Sequence, residues 1–445
     1  MFSALRQRRS FAHGIHPPQA KDDTRDLPIK QFPFAPVMIV PLQQHIGKPA
    51  VAVVREGQEV ERGELIAEPD GFMSVAMHAP ASGLIQRLAL APAINGRMAP
   101  AIYLKPFPGS SQEVSDGAPC DLASASAEEI LLAIQRAGIV GLGGAAFPTH
   151  VKLKVPVDKH IDTLIINGVE CEPYLTTDHR VMLEQQPDIF TGIRYLLKVT
   201  GAGRAIIGVE ANKLDVAAAL RAALPADLPV AVEVLAVKYP QGAEKMLIRA
   251  LLGREVPSGG LPSDVAVVTV NVATTAEIGR LLPHGRGIQE RVITIGGPAI
   301  RKKGNYRIPI GTPLRFALEY AGMEPNLSRV FLGGPMMGQA LPSLDIPITK
   351  GTSGFIAFTE RQTAAPVEYP CIHCAYCVDA CPLFLNPSQL GLLARVGEVE
   401  RMADEYNLLD CFECGSCAYV CPAHIPLVQR FRAAKALVRK RRAAP

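Results

Sequence analysis

Eight of the ten cysteines fall into two short runs: Cys371, Cys374, Cys377 and Cys381, followed by Pro382, and Cys411, Cys414, Cys417 and Cys421, followed by Pro422. The second run repeats the first 40 residues on, which points to an internal duplication of one metal-binding unit. In a chain this long, thiols grouped so closely point to metal ligation rather than to a disulfide framework. Zinc usually takes two C-x2-C pairs separated by a longer loop, often with histidine. The doubled, tight spacing suits iron–sulfur clusters instead, and such clusters carry single electrons. Cys120 and Cys171 lie outside the runs and read as small buried residues.

Both runs resemble the C-x2-C-x2-C-x3-C-P run of bacterial two-cluster ferredoxins. The resemblance implies two 4Fe–4S clusters with crossed ligation. Cys371, Cys374 and Cys377 would share one cluster with Cys421. Cys411, Cys414 and Cys417 would share the other with Cys381.

A second chemical signal is Gly138-Ile139-Val140-Gly141-Leu142-Gly143-Gly144-Ala145-Ala146-Phe147-Pro148-Thr149-His150-Val151-Lys152. It follows a predicted helix rather than a strand, so it is not the Rossmann dinucleotide fingerprint. It also lacks the Gly-Lys-Ser/Thr ending of a P-loop. Gly141, Gly143 and Gly144 let the backbone come close to a ligand and turn N–H groups toward an anion. Lys152 adds positive charge, and Phe147 offers a face to a planar ring. A tight loop that serves only helix packing is the competing reading.

Several elements must position these residues. The chain has 445 residues, enough for several domains, with 48% apolar and 20% charged residues. Its 46 basic and 42 acidic residues nearly cancel, which argues against a nucleic-acid partner. No apolar run reaches the ~18 residues that span a bilayer. The basic start, Met1 to Ser10, has no apolar core behind it and is not a secretory signal. The fold class expected is multidomain α/β and α+β. Residues 1–34 read as a segment meandering over the surface. Residues 35–105, with short apolar runs between glycines and prolines, resemble a lipoyl-type barrel-sandwich domain. Its hairpin tip, Asp70-Gly71-Phe72-Met73-Ser74, lacks the modifiable lysine, so its expected role is structural or docking. Residues 106–126 read as a linker. Residues 127–262 alternate helix and strand as an α/β domain does. A helix is expected over Ala127–Ala137, and strands over Thr163–Asn167 and Ala266–Val270. Residues 263–358 read as a small α+β module with a helix over Pro313–Ala321. Residues 359–445 hold the cysteines, a helix over Pro387–Glu405, and a basic amphipathic helix over Pro426–Arg442.

Further segments widen the resemblance. The glycine loop resembles the flavin loop of the complex I flavoprotein subunit, GLRGRGGAGFPTGLKW. Asn167-Gly168-Val169-Glu170-Cys171-Glu172-Pro173 resembles its NADESEP segment, Tyr239-Pro240-Gln241-Gly242-Ala243-Glu244 its Y-x-x-G-E-E, and Asn271-Val272-Ala273-Thr274 its N-V-E-T. This resemblance implies that Gly141, Gly143, Gly144, Phe147, Lys152, Asn167, Asn271 and Thr274 bind FMN. It also implies that Glu170, Glu172 and Glu244 line a nicotinamide nucleotide site. The sequence departs from the pattern at Leu142, where the loop arginine stands, at Ala146 and at Val169.

The order of parts narrows the family. His13-Gly14-Ile15-His16-Pro17-Pro18, the barrel, the flavin loop, Gly333-Gly334-Pro335-Met336-Met337-Gly338 and the two cysteine runs together resemble the RnfC family of the Rnf electron-transport complex. Residues 263–358 then resemble a soluble-ligand-binding β-grasp module. The resemblance implies a peripheral subunit on the cytoplasmic side of the bacterial inner membrane, exchanging electrons between NAD(H), FMN and two clusters. It implies other Rnf subunits as partners, with ferredoxin reached through one of them. Two alternatives stand beside it: a cobalamin reductase of bacterial microcompartments, and a non-catalytic relay scaffold. The basic C-terminal helix either caps the cluster domain or docks on an anionic membrane surface.

Overall fold

The structure, a computed structural model, describes residues 9–443. Its centre is a sheet of four strands, Val230–Leu235, Arg204–Glu210, Thr163–Gly168 and Val267–Asn271 in spatial order, all parallel. Their near-continuous Val/Ile runs are what a sheet covered on both faces requires. Leu164 and Ile166 enter the main core, while Ile165 enters a second one with Leu247, Ile248 and Leu251 of the helix Glu244–Leu252. Thr163–Gly168 comes first in the chain yet lies between the second and the last strand. The winding therefore reverses beside it, and its end, Asn167, pairs with Asn271. Such a switch point at the carboxyl ends of parallel strands is where an α/β sheet opens a ligand crevice.

The boundary expected after residue 262 falls inside this unit. Val267–Asn271 completes the sheet, and the helix Val272–Leu281 packs on Gln186–Thr200. Gly192 and Gly279 leave no room for a Cβ between those two helices, which is why their backbones meet. The unit thus runs to about residue 281.

The helix Ala127–Arg136 leads into the glycine loop. It starts on a capping box between Ser126 and Glu129. It ends in a Schellman turn: Gly138 N–H donates to Gln135 O and Ile139 N–H to Ile134 O, with Gly138 at φ +73°. That turn fixes the direction in which the loop departs.

Residues 38–106 form two small facing sheets. One contains Met38–Pro41, Met98–Pro106, Gly83–Pro92 and Glu59–Val60; the other contains Val51–Ala52, Leu65–Glu68 and Met77–His78. The lysine-free tip docks on the α/β unit. Gln135 Nε2 donates to Gly71 O and Ser74 O, and Phe72 packs edge-on against His150, whose Nε2 lies 2.7 Å from Phe72 O.

A mixed six-stranded sheet follows, in the order Ile29–Gln31, Gly304–Pro309, Glu290–Gly296, Gly354–Thr359, Leu327–Leu332 and Gln339–Ala340. Its first strand corrects the reading of residues 1–34 as a surface meander. Ile29–Gln31 pairs parallel with Asn305–Arg307, and Phe11, Ile15, Lys21, Thr24 and Phe32 are buried. The apolar residues of this segment take part in the cores, and Lys21 finds carbonyl partners inside. Residues 1–8 lie outside the described part.

The duplication of the cysteine domain is visible in the backbone. Positive φ angles at His373, Ala375 and Phe384 recur at Glu413, Gly415 and His424. The helices Tyr376–Asp379 and Pro387–Val396 recur as Ser416–Tyr419 and Leu427–Arg442. The single helix expected over Pro387–Glu405 breaks at Gly397, φ +78°, into Pro387–Val396 and Val399–Asp404. Glycine ends a helix there because it takes the left-handed conformation at little cost.

Candidate flavin cradle and iron–sulfur centres

The loop closes on itself: Gly141 N–H donates to Phe147 O at 2.8 Å, and Val140 bridges Pro148. It lies over the start of the helix Val272–Leu281. Leu142 N–H donates to Thr274 Oγ1 at 2.9 Å, and a Cβ on Gly143 would stand 2.5 Å from Asn271 Nδ2. Asn271 caps that helix by accepting from Ala273 N–H and Thr274 N–H, and donates to Asp178 Oδ2 at 2.8 Å. Asn167, at the neighbouring strand end, donates to Gly242 O and accepts from Val169 N–H. Residues far apart in sequence thus meet at the switch point. Gly143, Gly144 and Ala145 are exposed there, and their N–H groups have no protein partner among the described residues. Gly144 has no atom within 4 Å of a Cβ position. A run of N–H groups without protein partners beside a helix N-terminus is suited to a phosphate, so the residues present fit a phosphate-bearing flavin.

The carboxylates differ in what they face. Glu244 is half-exposed and pairs with Lys152 at 3.1 Å. Glu170 accepts from Asp178 N–H and His179 N–H, at the start of the helix Thr177–Glu184. Glu172 accepts from Met336 N–H at 3.1 Å and Met337 N–H at 2.8 Å. Burial raises its pKa above the usual carboxylate range, against the pull of those two N–H groups. Glu172 therefore latches the Gly333–Gly338 loop to the segment that carries it. Phe147 is half-buried and closes the glycine loop through its carbonyl.

Five residues without an assigned role in the sequence reading organise this end. Lys21 Nζ donates to Glu170 O, Glu172 O and Leu175 O, so the N-terminal segment clasps the 170–175 turn. Asp178 is pushed up to about 7, by burial first and then by the nearby charge of Glu170. Arg291 and Lys350 reach under the glycine loop from the mixed sheet. Tyr239, at the start of the Y-x-x-G segment, donates to Cys414 O at 2.6 Å. A tyrosine in the Y-x-x-G segment was legible; its reach to a cysteine 175 positions on was not.

The cysteines surround two cavities. One is lined by Cys371, Cys374, Cys377 and Cys421. The other is lined by Cys381, Cys411, Cys414 and Cys417. Each set takes its fourth thiol from the other run, the crossed pairing that the ferredoxin resemblance implies. Burial, and then the neighbouring thiols, push the Cys377 thiol up to about 11. Cys411 is pushed up to about 11 by burial, against its bond from the Glu413 N–H and the charge of Lys435. A cationic cluster is the countercharge that would let such thiols ionise. The donor sets therefore fit two cubanes. Cys120 and Cys171, expected to be buried, are both half-buried; the Cys171 thiol accepts from Gly242 N–H, and desolvation raises its pKa.

The C-terminal helix seats Leu427, Phe431, Ala434 and Val438 in the cluster-domain core. Arg430 pairs with Glu368, Arg432 and Lys435 with Glu413, Arg441 with Glu400 and Arg442 with Asp404. Most of its basic face is thus engaged within the domain. Among the described residues no helix is long and apolar enough to cross a membrane.

Comparison with known families agrees with this division. Residues 9–106 match the RnfC barrel sandwich hybrid domain, 134–280 the Nuo51 FMN-binding domain and 370–426 a 4Fe-4S dicluster domain. Fold and site thus define an iron–sulfur flavoprotein, an oxidoreductase component of electron transport. The chain is 42% identical over 405 residues to the C subunit of the proton-translocating ferredoxin:NAD(+) oxidoreductase complex of Clostridium ljungdahlii, covering 90% of this chain and 88% of that one. It is 39% identical to the Na(+)-translocating counterpart of Acetobacterium woodii, covering 86% of each. It is 41% identical to the C subunit of the ion-translocating oxidoreductase complex of Pseudomonas aeruginosa, covering 97% of this chain but 56% of that one. The chain belongs to the RnfC family, the C subunits of Rnf complexes. Among solved structures, a chain of an NAD+-reducing NiFe hydrogenase in its H2-reduced state shares the fold, with a TM-score of 0.51 at 20% identity, covering 72% of this chain and 67% of that one.

Proposed function

We propose that this chain is the NAD(H)-linked subunit of an ion-translocating ferredoxin:NAD oxidoreductase complex, peripheral on the cytoplasmic side of the membrane. It exchanges hydride with NAD(H) at FMN and passes single electrons through two 4Fe–4S clusters to partner subunits. Bound FMN would supply the conversion between a two-electron hydride and one-electron steps. The chain's own residues hold and separate the two ends. Gly143, Gly144 and Ala145 offer N–H groups to the phosphate. Asn271 and Thr274 hold the loop in place. Glu244 and Lys152 stand at the exposed edge, where a nucleotide would enter.

One observation carries the reading: Tyr239 spans from the Y-x-x-G turn to the Cys414 carbonyl at 2.6 Å. Gly415 also packs against Met336 of the latched loop. These two contacts favour the Cys381, Cys411, Cys414 and Cys417 set as the nearer to the flavin, with the Cys371, Cys374, Cys377 and Cys421 set beyond it. Purification without oxygen, with flavin and iron quantified and NADH then titrated in, tests the reading. The expected result is bleaching of the flavin band followed by cluster signals in EPR. Flavin that NADH leaves oxidised would reduce the chain to a relay scaffold.

A further inference from the structure

Arg291 and Lys350 are buried cations, 2% and 1% exposed, that lie beneath the glycine loop. Arg291 Nη2 donates to Leu142 O at 3.0 Å, and its Nη1 to Lys350 O. Lys350 Nζ donates to Gly138 O at 2.8 Å and to Ala76 O at 2.5 Å. Gly351 abuts Ala146: a Cβ on it would stand 2.8 Å from the Ala146 Cβ. The loop is therefore gripped at both ends by one neighbouring module. Leu142 stands where the resembling flavin loop has its arginine, and a guanidinium reaches that same residue from another module.

The peptide plane gives this grip a direction. In a trans peptide, C=O and the following N–H point opposite ways. Holding Leu142 O inward on Arg291 turns Gly143 N–H outward, toward the open side where Gly144 and Ala145 also lack partners. Charge adds a second reason. Among the described residues no carboxylate bonds Lys350; its Nζ meets two carbonyls only. Arg291 feels the charges of Asp178 and Glu277 but bonds neither. Burial alone pushes the Lys350 amine down to about 7. A lone amine in such a place tends to give up its proton, and a nearby anion draws it back to the charged form.

We propose that Arg291 and Lys350 are positioning residues for the flavin phosphate: they turn the loop's N–H groups outward and supply, from below, positive charge that a bound phosphate completes. The proposal rests on the FMN reading above and assigns it a phosphate-specific support outside the loop. Riboflavin, which lacks the phosphate, separates this role from simple packing.

The test uses the full chain freed of flavin, with FMN and riboflavin binding followed by fluorescence and apo-protein melting measured in parallel. Lys350→Met should weaken FMN by about tenfold, the scale of one charge-assisted contact, and leave riboflavin unchanged. Arg291→Lys keeps the charge but cannot bond both carbonyls, so it should also lower the FMN-to-riboflavin preference, by less. It keeps the test open should Lys350→Met fail to fold. Equal losses for FMN and riboflavin, or no loss of either, overturn the proposal. Wild-type chain that takes up no FMN overturns both this proposal and the functional reading beneath it.

Discussion

In the dicluster domain one segment, residues 371–421, supplies all eight thiols, and a repeated backbone turns them inward. The glycine loop has no comparable independence. It is held by Thr274 and Asn271 from its own sheet, by the Phe72 contact of the barrel through His150, and by Arg291 and Lys350 from the mixed sheet. The contrast follows from chemistry. A thiolate brings its own bond to the metal, so correct spacing goes far toward making a site. A backbone N–H is a donor everywhere in a chain, and becomes a site only where other groups hold its neighbours' carbonyls away.

The largest effect that sharpens this contrast is expected from Cys421→Ala. If ligation is crossed, the cluster of the first run is lost, with roughly half of the iron, while the Cys411 set keeps its EPR signal. Loss of the Cys411-set signal instead would mean that each run serves its own cluster. The cradle should respond differently, because a change there need not disturb the fold. A Cβ at Gly144 has no protein atom within 4 Å, so with Gly144→Val the melting temperature of the apo chain should hold while FMN occupancy collapses. Lys152→Ala should weaken FMN by on the order of 1.5–3 kcal/mol. Occupancy at the wild-type level in both variants would move the site elsewhere.

A smaller effect should appear in pH. Asp178 titrates near 3.8 when unfolded and near 7 when folded. Its folded pKa is raised, so the folded state holds the extra proton between those values. Its contribution to stability is fully present below about 4 and is lost as pH rises through about 7. Asp178→Asn should flatten that part of the profile, read from urea unfolding across the window. An unchanged slope would place its source in another group. The smallest effect is expected at the C-terminus. Arg441 and Arg442 are tied to Glu400 and Asp404 in exposed pairs, which contribute little to stability. Arg439 and Lys440 carry no ion pair among the described residues. If the helix docks on anionic lipid, replacing both with alanine should let the protein wash from membranes at lower salt, by about 1 kcal/mol per charge. Unchanged salt resistance would leave the helix as a cap on the cluster domain.

These two sites also differ in how far sequence reaches them. The thiol sets and the repeat were legible because each motif is local. The strand ends at Asn167 and Asn271 were legible as motif members, but their pairing is a property of strand order. Glu172 resembled a nucleotide-facing carboxylate, whereas the fold turns it onto Met336 and Met337. Nothing in the sequence around Lys350 distinguishes it from a surface lysine, since its partners come from the barrel and the loop. The N-terminal segment misled for a related reason: charge and proline suggested solvent, and Lys21 spends its charge on three interior carbonyls.

That segment also has a consequence for how the protein is made. Ile29 leaves the ribosome early, but its strand partner Asn305 is synthesised far later. At ~5–20 residues per second the gap is on the order of tens of seconds. Through that interval the strap that clasps the 170–175 turn has no sheet to join, although the barrel and the first strands of the α/β unit already exist. The nascent chain must therefore keep an unpaired strand and the apolar Phe32 out of wrong partnerships until the mixed sheet arrives.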